Sequence, residues 1–304
     1  MAYVRVKLKS DGSVRVLDSN AAYTLIQLNA ATYIEGQLPT DVPVAVEEFN
    51  GARRLVAIVT CHKDKFIEQA EIQRQTWVPL CAKYGIDVKF FLGQSTRAPR
   101  EDEVYLDVDD GYAGLPAKVQ AMLAWAVAQG YDYILKTDDD VYIVPGRLNK
   151  VPVAPYDFVG RFRTPSGGYP AEYASGFAYW LSKKAAGVVA ASPLNTDWAE
   201  DRWVANALAM ADIYGMSDWV NYVAPCPPCS PDVIARSGVN VATVFCQFTA
   251  KELQRMHLLF KERPLSVSPY ALHPAPRYHC TEDRLMRVPN DKIPNRPEHS
   301  YASR

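Results

Sequence analysis

Three aspartates in a row, Asp138, Asp139 and Asp140, sit in the stretch KTDDDVYIV, directly before a run of strand-forming residues. Adjacent carboxylates repel one another, and a partly buried set must take up protons or find a counter-cation. Asp138 and Asp140 form a D-x-D pattern. A hard divalent ion such as Mg²⁺ or Mn²⁺ is typically held by one or two carboxylates while substrate phosphates complete its shell. Three acids in a turn are more often simply solvated, so the fragment alone does not decide. A second acidic pair, Glu200 and Asp201, opens a helical segment, DWAEDRWVANALAMA. Acids there complement the helix N-terminus, a stabilisation of about 0.3–1 kcal/mol. A well-placed carboxylate can instead serve as a general base, worth about 10²–10⁴-fold in rate. The residues by themselves leave both roles open.

The elements that must position these acids alternate. LVAIVT (55–60) reads as a buried strand, and the stretch from Asp64 to Gly85 as one amphipathic helix closed by the glycine. DVKFFLG (87–93) is a second strand. In LPAKVQAMLAWAVAQG, Leu115, Val119, Met122, Leu123 and Ala126 share a helical face, and Gly130 stands at the C-cap. YDYILKTDDDVYIV reads as strand, carboxylates, strand. YASGFAYWLS is a glycine-containing turn into a strand, followed by a helix from Lys183, and Thr249 with Glu252 forms a capping box ahead of another helix. Alternating β and α elements imply an α/β fold with a mainly parallel sheet and helices on both faces. Ligands bind such sheets beyond the carboxyl ends of the strands, and the aspartates follow YILK at that edge.

Residues 1–48 read as a small ββα module, a hairpin about Asp11-Gly12 followed by a short helix ending near Gly36. Residues 49–262 form the main domain, and 263–304 a proline-rich extension expected to wrap the surface near the active site. Lys plus Arg (33) nearly balances Asp plus Glu (34), so no bulk field advertises a nucleic acid or a membrane. No apolar run approaches the roughly 20 residues that span a bilayer. Six cysteines in 304 residues are few, and a reducing cytoplasm is expected.

RQTW (74–77), FFLG (90–93), YLDVDDGYAGLPAKVQAMLAW (105–125), KTDDDVYI (136–143), YASGFAYWLS (173–182), AED (199–201) and TAKEL (249–253) follow one another in that order. Together they resemble the β-1,3-galactosyltransferase/Fringe-type enzymes, glycosyltransferase family 31, over roughly residues 53–262. The resemblance implies a GT-A fold, a UDP-sugar donor, a Mn²⁺ (or Mg²⁺) ion and inversion at the anomeric carbon. It makes Asp140 the metal ligand together with Asp138, and Asp201 the catalytic base. It places Thr60, Arg74, Trp77, Lys118, Asp138, Asp139, Ser175, Gly176 and Glu200 around the donor, with Lys118 either near the diphosphate or structural.

The sequence departs from the family where a histidine usually completes the metal site, since Cys246 stands there. A thiolate is softer than Mn²⁺ or Mg²⁺ prefers. Either Asp140 carries the ion nearly alone, or His273 or His279 from the tail takes the vacant role. CPPC (226–229) has the spacing of half a zinc site, with Cys246, His279 and Cys280 as candidate completions, and equally fits a reduced loop pair or a disulfide. Eukaryotic relatives carry a membrane anchor and luminal cysteine pairs, which points here to a phage or bacterial enzyme of the cytoplasm. The expected acceptor is a hydroxyl: a hydroxymethylpyrimidine in phage DNA, a protein side chain or a glycan. A non-catalytic sugar- or nucleotide-binding module and a nucleotidyltransferase are the rival readings.

Overall fold

The computed structural model describes residues 51–149, 151, 153, 156–163, 172–195, 199–217, 222, 230–232 and 243–260, together with the backbone of 3–8, 14–18, 31–33, 223 and 273–274. Strands β1 (Tyr3–Leu8) and β2 (Val14–Asp18) pair antiparallel as the hairpin pattern predicts. The short helix expected up to Gly36 is not helical at its end. Ala31–Tyr33 is strand β3, paired antiparallel with β1. An isolated two-stranded hairpin is marginal in water, and a third strand covers its open edge.

The main body is built on an eight-stranded sheet. Its first half is parallel: β4 (Arg54–Val59) lies between β5 (Ile86–Leu92) and β7 (Tyr133–Asp138), with β6 (Glu103–Tyr105) outside β5. Beyond β7 comes the antiparallel β10 (Tyr173–Ser182), then β9 (Phe158–Arg163), β11 (Met216–Ser217) and β14 (His273–Pro274). This is the mixed, helix-flanked sheet expected from the GT-A resemblance, and β10 is the strand that breaks the parallel run.

Each sheet face carries its own core. Helix α1 (Asp64–Gln75), α2 (Val78–Cys81) and α7 (Ala250–Phe260) pack on one face around Trp77, Phe90 and Phe245. Helices α3 (Leu115–Ala128), α5 (Lys183–Ala191) and α6 (Glu200–Met210) cover the other through Val119, Met122, Leu123 and Ala126. A small sheet of β8 (Tyr142–Ile143), β13 (Val244–Phe245) and β12 (Tyr222–Val223) sits beyond the end of β7.

The helix expected to run unbroken from Asp64 to Gly85 is three pieces. Pro79 has no N–H and cannot continue a helix from the turn before it, but it fits the first turn of a new one. The Thr76 hydroxyl donates back to the Ile72 carbonyl at 2.6 Å where α1 stops. Gly85 does close the segment, at φ +63°. Gly130 ends α3 at φ +81°, with the Tyr131 N–H reaching the Ala126 carbonyl at 3.2 Å. The capping box forms as read: the Thr249 N–H donates to Glu252 Oε2 at 2.8 Å.

Candidate active site

Sheet order places the crevice. The chain leaves β4 toward β5 on one side and meets β7 on the other, so the strand order reverses between β4 and β7. Open α/β sheets bind ligands at such a reversal, beyond the carboxyl ends of the strands. Thr60 follows β4 there, Asp138 ends β7, and Asp139 and Asp140 form the turn into β8.

Two glutamines and a tryptophan on α1 and just after it clamp this turn. Gln73 Nε2 donates to the carbonyls of Asp138 (3.2 Å) and Val141 (2.8 Å), and Trp77 Nε1 to Val141 O at 3.2 Å. Gln69 Nε2 donates to the Phe248 carbonyl at 2.7 Å, and the Phe248 N–H to the Asp140 carbonyl at 3.1 Å. Gln247 adopts φ +69°, a left-handed conformation costing a side-chain-bearing residue roughly 1–2 kcal/mol. Its backbone N–H interacts with the Asp140 carboxylate. Burial, then repulsion from Asp138, pushes the Asp140 carboxyl up to about 7. Asp139 is buried beside Thr60, and burial drives its carboxyl well above the usual range.

The opposite wall comes from β10 and α6. Between Ala174 and Tyr179, five steps along β10 lie against only two along β9, from Phe162 to Gly160. The surplus residues Ser175, Gly176 and Phe177 bulge out of the ladder toward the aspartates, a device that re-aims backbone groups next to functional sites. The Gly176 N–H donates to Asp201 Oδ2 at 3.1 Å. A Cβ on Gly176 would lie 3.3 Å from Glu200 Oε2, a tight contact, and 3.4 Å from Asp201 Oδ2, an ordinary one, so glycine leaves Glu200 room at the bulge.

Between the two walls lies Lys136, 1% exposed, its ammonium 2.7 Å from Asp138 Oδ1, 2.5 Å from the Gly176 carbonyl and 3.4 Å from Glu200 Oε2. Burial opposes its charge, but Asp138 and Glu200 outweigh that and raise its pKa. Tyr179 donates its hydroxyl to Glu200 Oε1. Burial, partly offset by Lys136, pushes Glu200 up to about 7, and burial likewise raises Asp201. Glu200 is locked between Lys136 and Tyr179, whereas Asp201 is only partly buried. Of the two acids Asp201 is the more exposed, its Oδ2 accepting the Gly176 N–H and its Oδ1 the Arg202 N–H at 2.9 Å.

Residues 68–155 match the galactosyltransferase family. The matched segment carries Arg74, Trp77, Lys118 and the three aspartates, but neither the β10 bulge nor α6. Over 119 residues the chain is 32% identical to the mouse UDP-GalNAc:beta-1,3-N-acetylgalactosaminyltransferase 2, a stretch covering 32% of this chain and 23% of that protein. The chain thus spans about a quarter of that relative's length. A solved glycosyltransferase involved in glycosylation of the major capsid of PBCV-1 is 15% identical, with a TM-score of 0.42, over 66% of this chain and 98% of that one.

Within the matched segment, three residues expected around the donor already have partners in the fold. Trp77 is fully buried and serves as a clamp, because its ring fills the core beneath the turn. Arg74 forks onto Asp102 (Nε–Oδ2 2.7 Å) and Glu103 (3.0 Å) over the Phe90 ring, at the β5–β6 edge and away from the aspartates. Lys118 is anchored at the carboxyl end of β4. Its buried ammonium spends all three N–H donors on Thr60 O (2.8 Å), Asp110 O (3.2 Å) and Asp110 Oδ1 (2.8 Å). The Asp110 carboxylate also accepts the N–H groups of His62 and Gly93, both at 2.6 Å, tying the ends of β4 and β5 together. Lys118→Met is expected to cost about 3 kcal/mol, because it strands a half-buried carboxylate. Urea unfolding checks this, with the donor KM moving far less than the midpoint.

Ser175 accepts from Arg163 Nε at 2.7 Å and is buried. His273 lies in register with Ser217, then Gly160, Tyr179 and Lys136, four strand spacings or roughly 19 Å from β7. The structure therefore does not bring it to Asp138. His279 and CPPC lie outside the described residues. Cys246 does sit by the carboxylates, but burial, then Asp140 and Asp138, hold its thiol protonated well above the usual range. Among the described residues no group of three or more His, Cys, Asp or Glu side chains could hold a metal ion. Asp138 and Asp140 still fit a hard cation that takes its other ligands from water and phosphate, since two repelling oxygen donors are what such an ion relieves.

Sequence reading overlooked Lys136, Gln69 and Gln73. The signals were present: a lysine inside a strand buried on both faces is anomalous, and Gln69, Gln73 and Trp77 recur every fourth residue.

The raised acids set a pH dependence. Between the ordinary carboxyl value of 4.5 and about 7, folded Glu200 holds its proton while the unfolded chain has lost it. Stability of the metal-free protein should therefore fall as pH rises through that window. Urea midpoints at pH 5 and pH 8 should differ less for Glu200→Gln than for wild type.

Proposed function

We propose that the protein is a glycosyltransferase that moves a hexose from a UDP-sugar to a hydroxyl acceptor with inversion. The reading rests on one juxtaposition: the D-x-D turn of a galactosyltransferase-family segment faces, across Lys136, an accessible carboxylate held by a backbone N–H. Asp201 takes the acceptor hydroxyl proton while that oxygen bonds to the anomeric carbon from the face opposite the diphosphate. The bond from that carbon to the diphosphate oxygen breaks, and UDP leaves with the electron pair. Asp140, with Asp138, would hold Mn²⁺ or Mg²⁺, which neutralises charge on the departing diphosphate. Lys65, whose charge reaches Asp140, and Arg161 and Arg163, whose charges reach Cys246, add positive charge near the carboxylates, which supports an anionic donor.

Inversion, the metal and the acceptor are all part of this proposal, as is a cytoplasmic location. No helix among the described residues is long and apolar enough to cross a membrane. UDP release should be followed with and without Mn²⁺ over a panel of UDP-sugars and acceptors: hydroxymethylated DNA, unmodified DNA, peptides and glycans. Mn²⁺-stimulated UDP release with a mass gain on one acceptor class supports the reading. Binding without release would instead favour a non-catalytic module, for which the protonated Cys246 thiol speaks. Pyrophosphate from UTP would favour a nucleotidyltransferase.

A further inference from the structure

Lys136 takes no part in the chemistry proposed above, yet it is the most enclosed charge in the site. Its three contacts come from three elements: Asp138 ends β7, Gly176 lies in the β10 bulge, and Glu200 opens α6. The same Gly176 donates its N–H to Asp201. A lysine has three N–H donors, so the set is saturated. A buried ammonium is tolerated only when paired this way, and shifting any partner exposes the cost of an unpaired charge. Thr137 reinforces the link, its hydroxyl donating to the Phe177 carbonyl at 3.0 Å.

The geometry points to Lys136 as a positioning residue that fixes the separation between Asp138 and Asp201 and competes with the divalent ion for Asp138. It rests on the transferase reading for what that separation serves. An ion approaching Asp138 meets an ammonium already seated on Oδ1, so Asp140 is left as the more available donor. Removing the ammonium should loosen the bulge and the base while making the aspartates more attractive to a cation. A lysine that merely filled space would produce neither change, and one that only stabilised the fold would not tighten metal binding.

The test uses the full chain as wild type, Lys136→Met, Glu200→Gln and the double variant. Mn²⁺ alone is titrated by water-proton relaxation, and UDP release is measured separately. Lys136→Met is expected to bind Mn²⁺ about tenfold more tightly, from the loss of a nearby positive charge. Its kcat should fall about 10²-fold, the usual cost of a reacting group displaced by about 1 Å. The double variant removes the carboxylate that Lys136→Met leaves unpaired, and it should show the same two changes relative to Glu200→Gln. Mn²⁺ affinity that stays level or weakens, or an unchanged kcat, overturns the proposal. So does a double variant that cannot fold, because the lysine would then be structural only. Should the wild type release no UDP with any acceptor, the transferase reading fails, and the Mn²⁺ titration alone still decides the role of Lys136.

Discussion

Asp201→Asn is expected to lower kcat by about 10²–10⁴-fold, the range a positioned general base contributes, while leaving the donor KM nearly unchanged. The amide keeps the shape of the carboxyl and can still accept the Gly176 N–H at its oxygen, while its NH2 takes the place of the oxygen that accepts the Arg202 N–H. It loses the capacity to take a proton. Because burial raises the Asp201 carboxyl, folding at neutral pH opposes its ionised form. Relief from that charge offsets the lost acceptor of the Arg202 N–H, so the variant should melt close to the wild-type temperature. Lower activity with nearly equal stability separates a lost base from a damaged fold. Steady-state kinetics and a thermal melt on the same preparation give both readings. Wild-type turnover in Asp201→Asn would remove the base from the account and return the pair at the start of α6 to a helix-dipole role.

Asp140→Ala should show the second large effect, through the metal. A divalent ion that offsets charge on a departing diphosphate is worth several kcal/mol, about 10³-fold in rate. The variant should lose that increment and its response to added Mn²⁺ together. Chelation of the wild type should bring it down to the variant's rate, and re-addition of Mn²⁺ should rescue only the wild type. In the metal-free state the substitution should raise stability, since partial burial and repulsion from Asp138 raise the Asp140 carboxyl. A variant that keeps Mn²⁺-stimulated turnover would place the ion elsewhere.

Much of the site was legible in the chain because its signals are local. Periodicity marked α3 and its core face, Gly130 marked the end of that helix, and Thr249 with Glu252 marked the start of α7. The aspartates announced themselves because three adjacent acids at the end of an apolar strand conflict with burial. Other signals were incomplete because their meaning depends on distant partners. Trp77 and Arg74 lie in a motif associated with the donor, yet one fills the core and the other is consumed by Asp102 and Glu103. Lys118 had two possible uses until Asp110, eight residues upstream, proved to take its charge.

By itself the sequence determined the alternation of elements, the strand edge that carries Asp138 and Asp140, and the acidic start of α6, since all of these depend on residues close along the chain. Only the tertiary structure decided that β10 runs antiparallel and bulges at Gly176, that Lys136 joins Asp138 to Glu200, 64 residues beyond the lysine, and that His273 falls far from the aspartates. Those facts depend on which strands become neighbours. Neighbourhood in a sheet is settled by burying both faces of β7 at once, a condition that no short window of sequence contains.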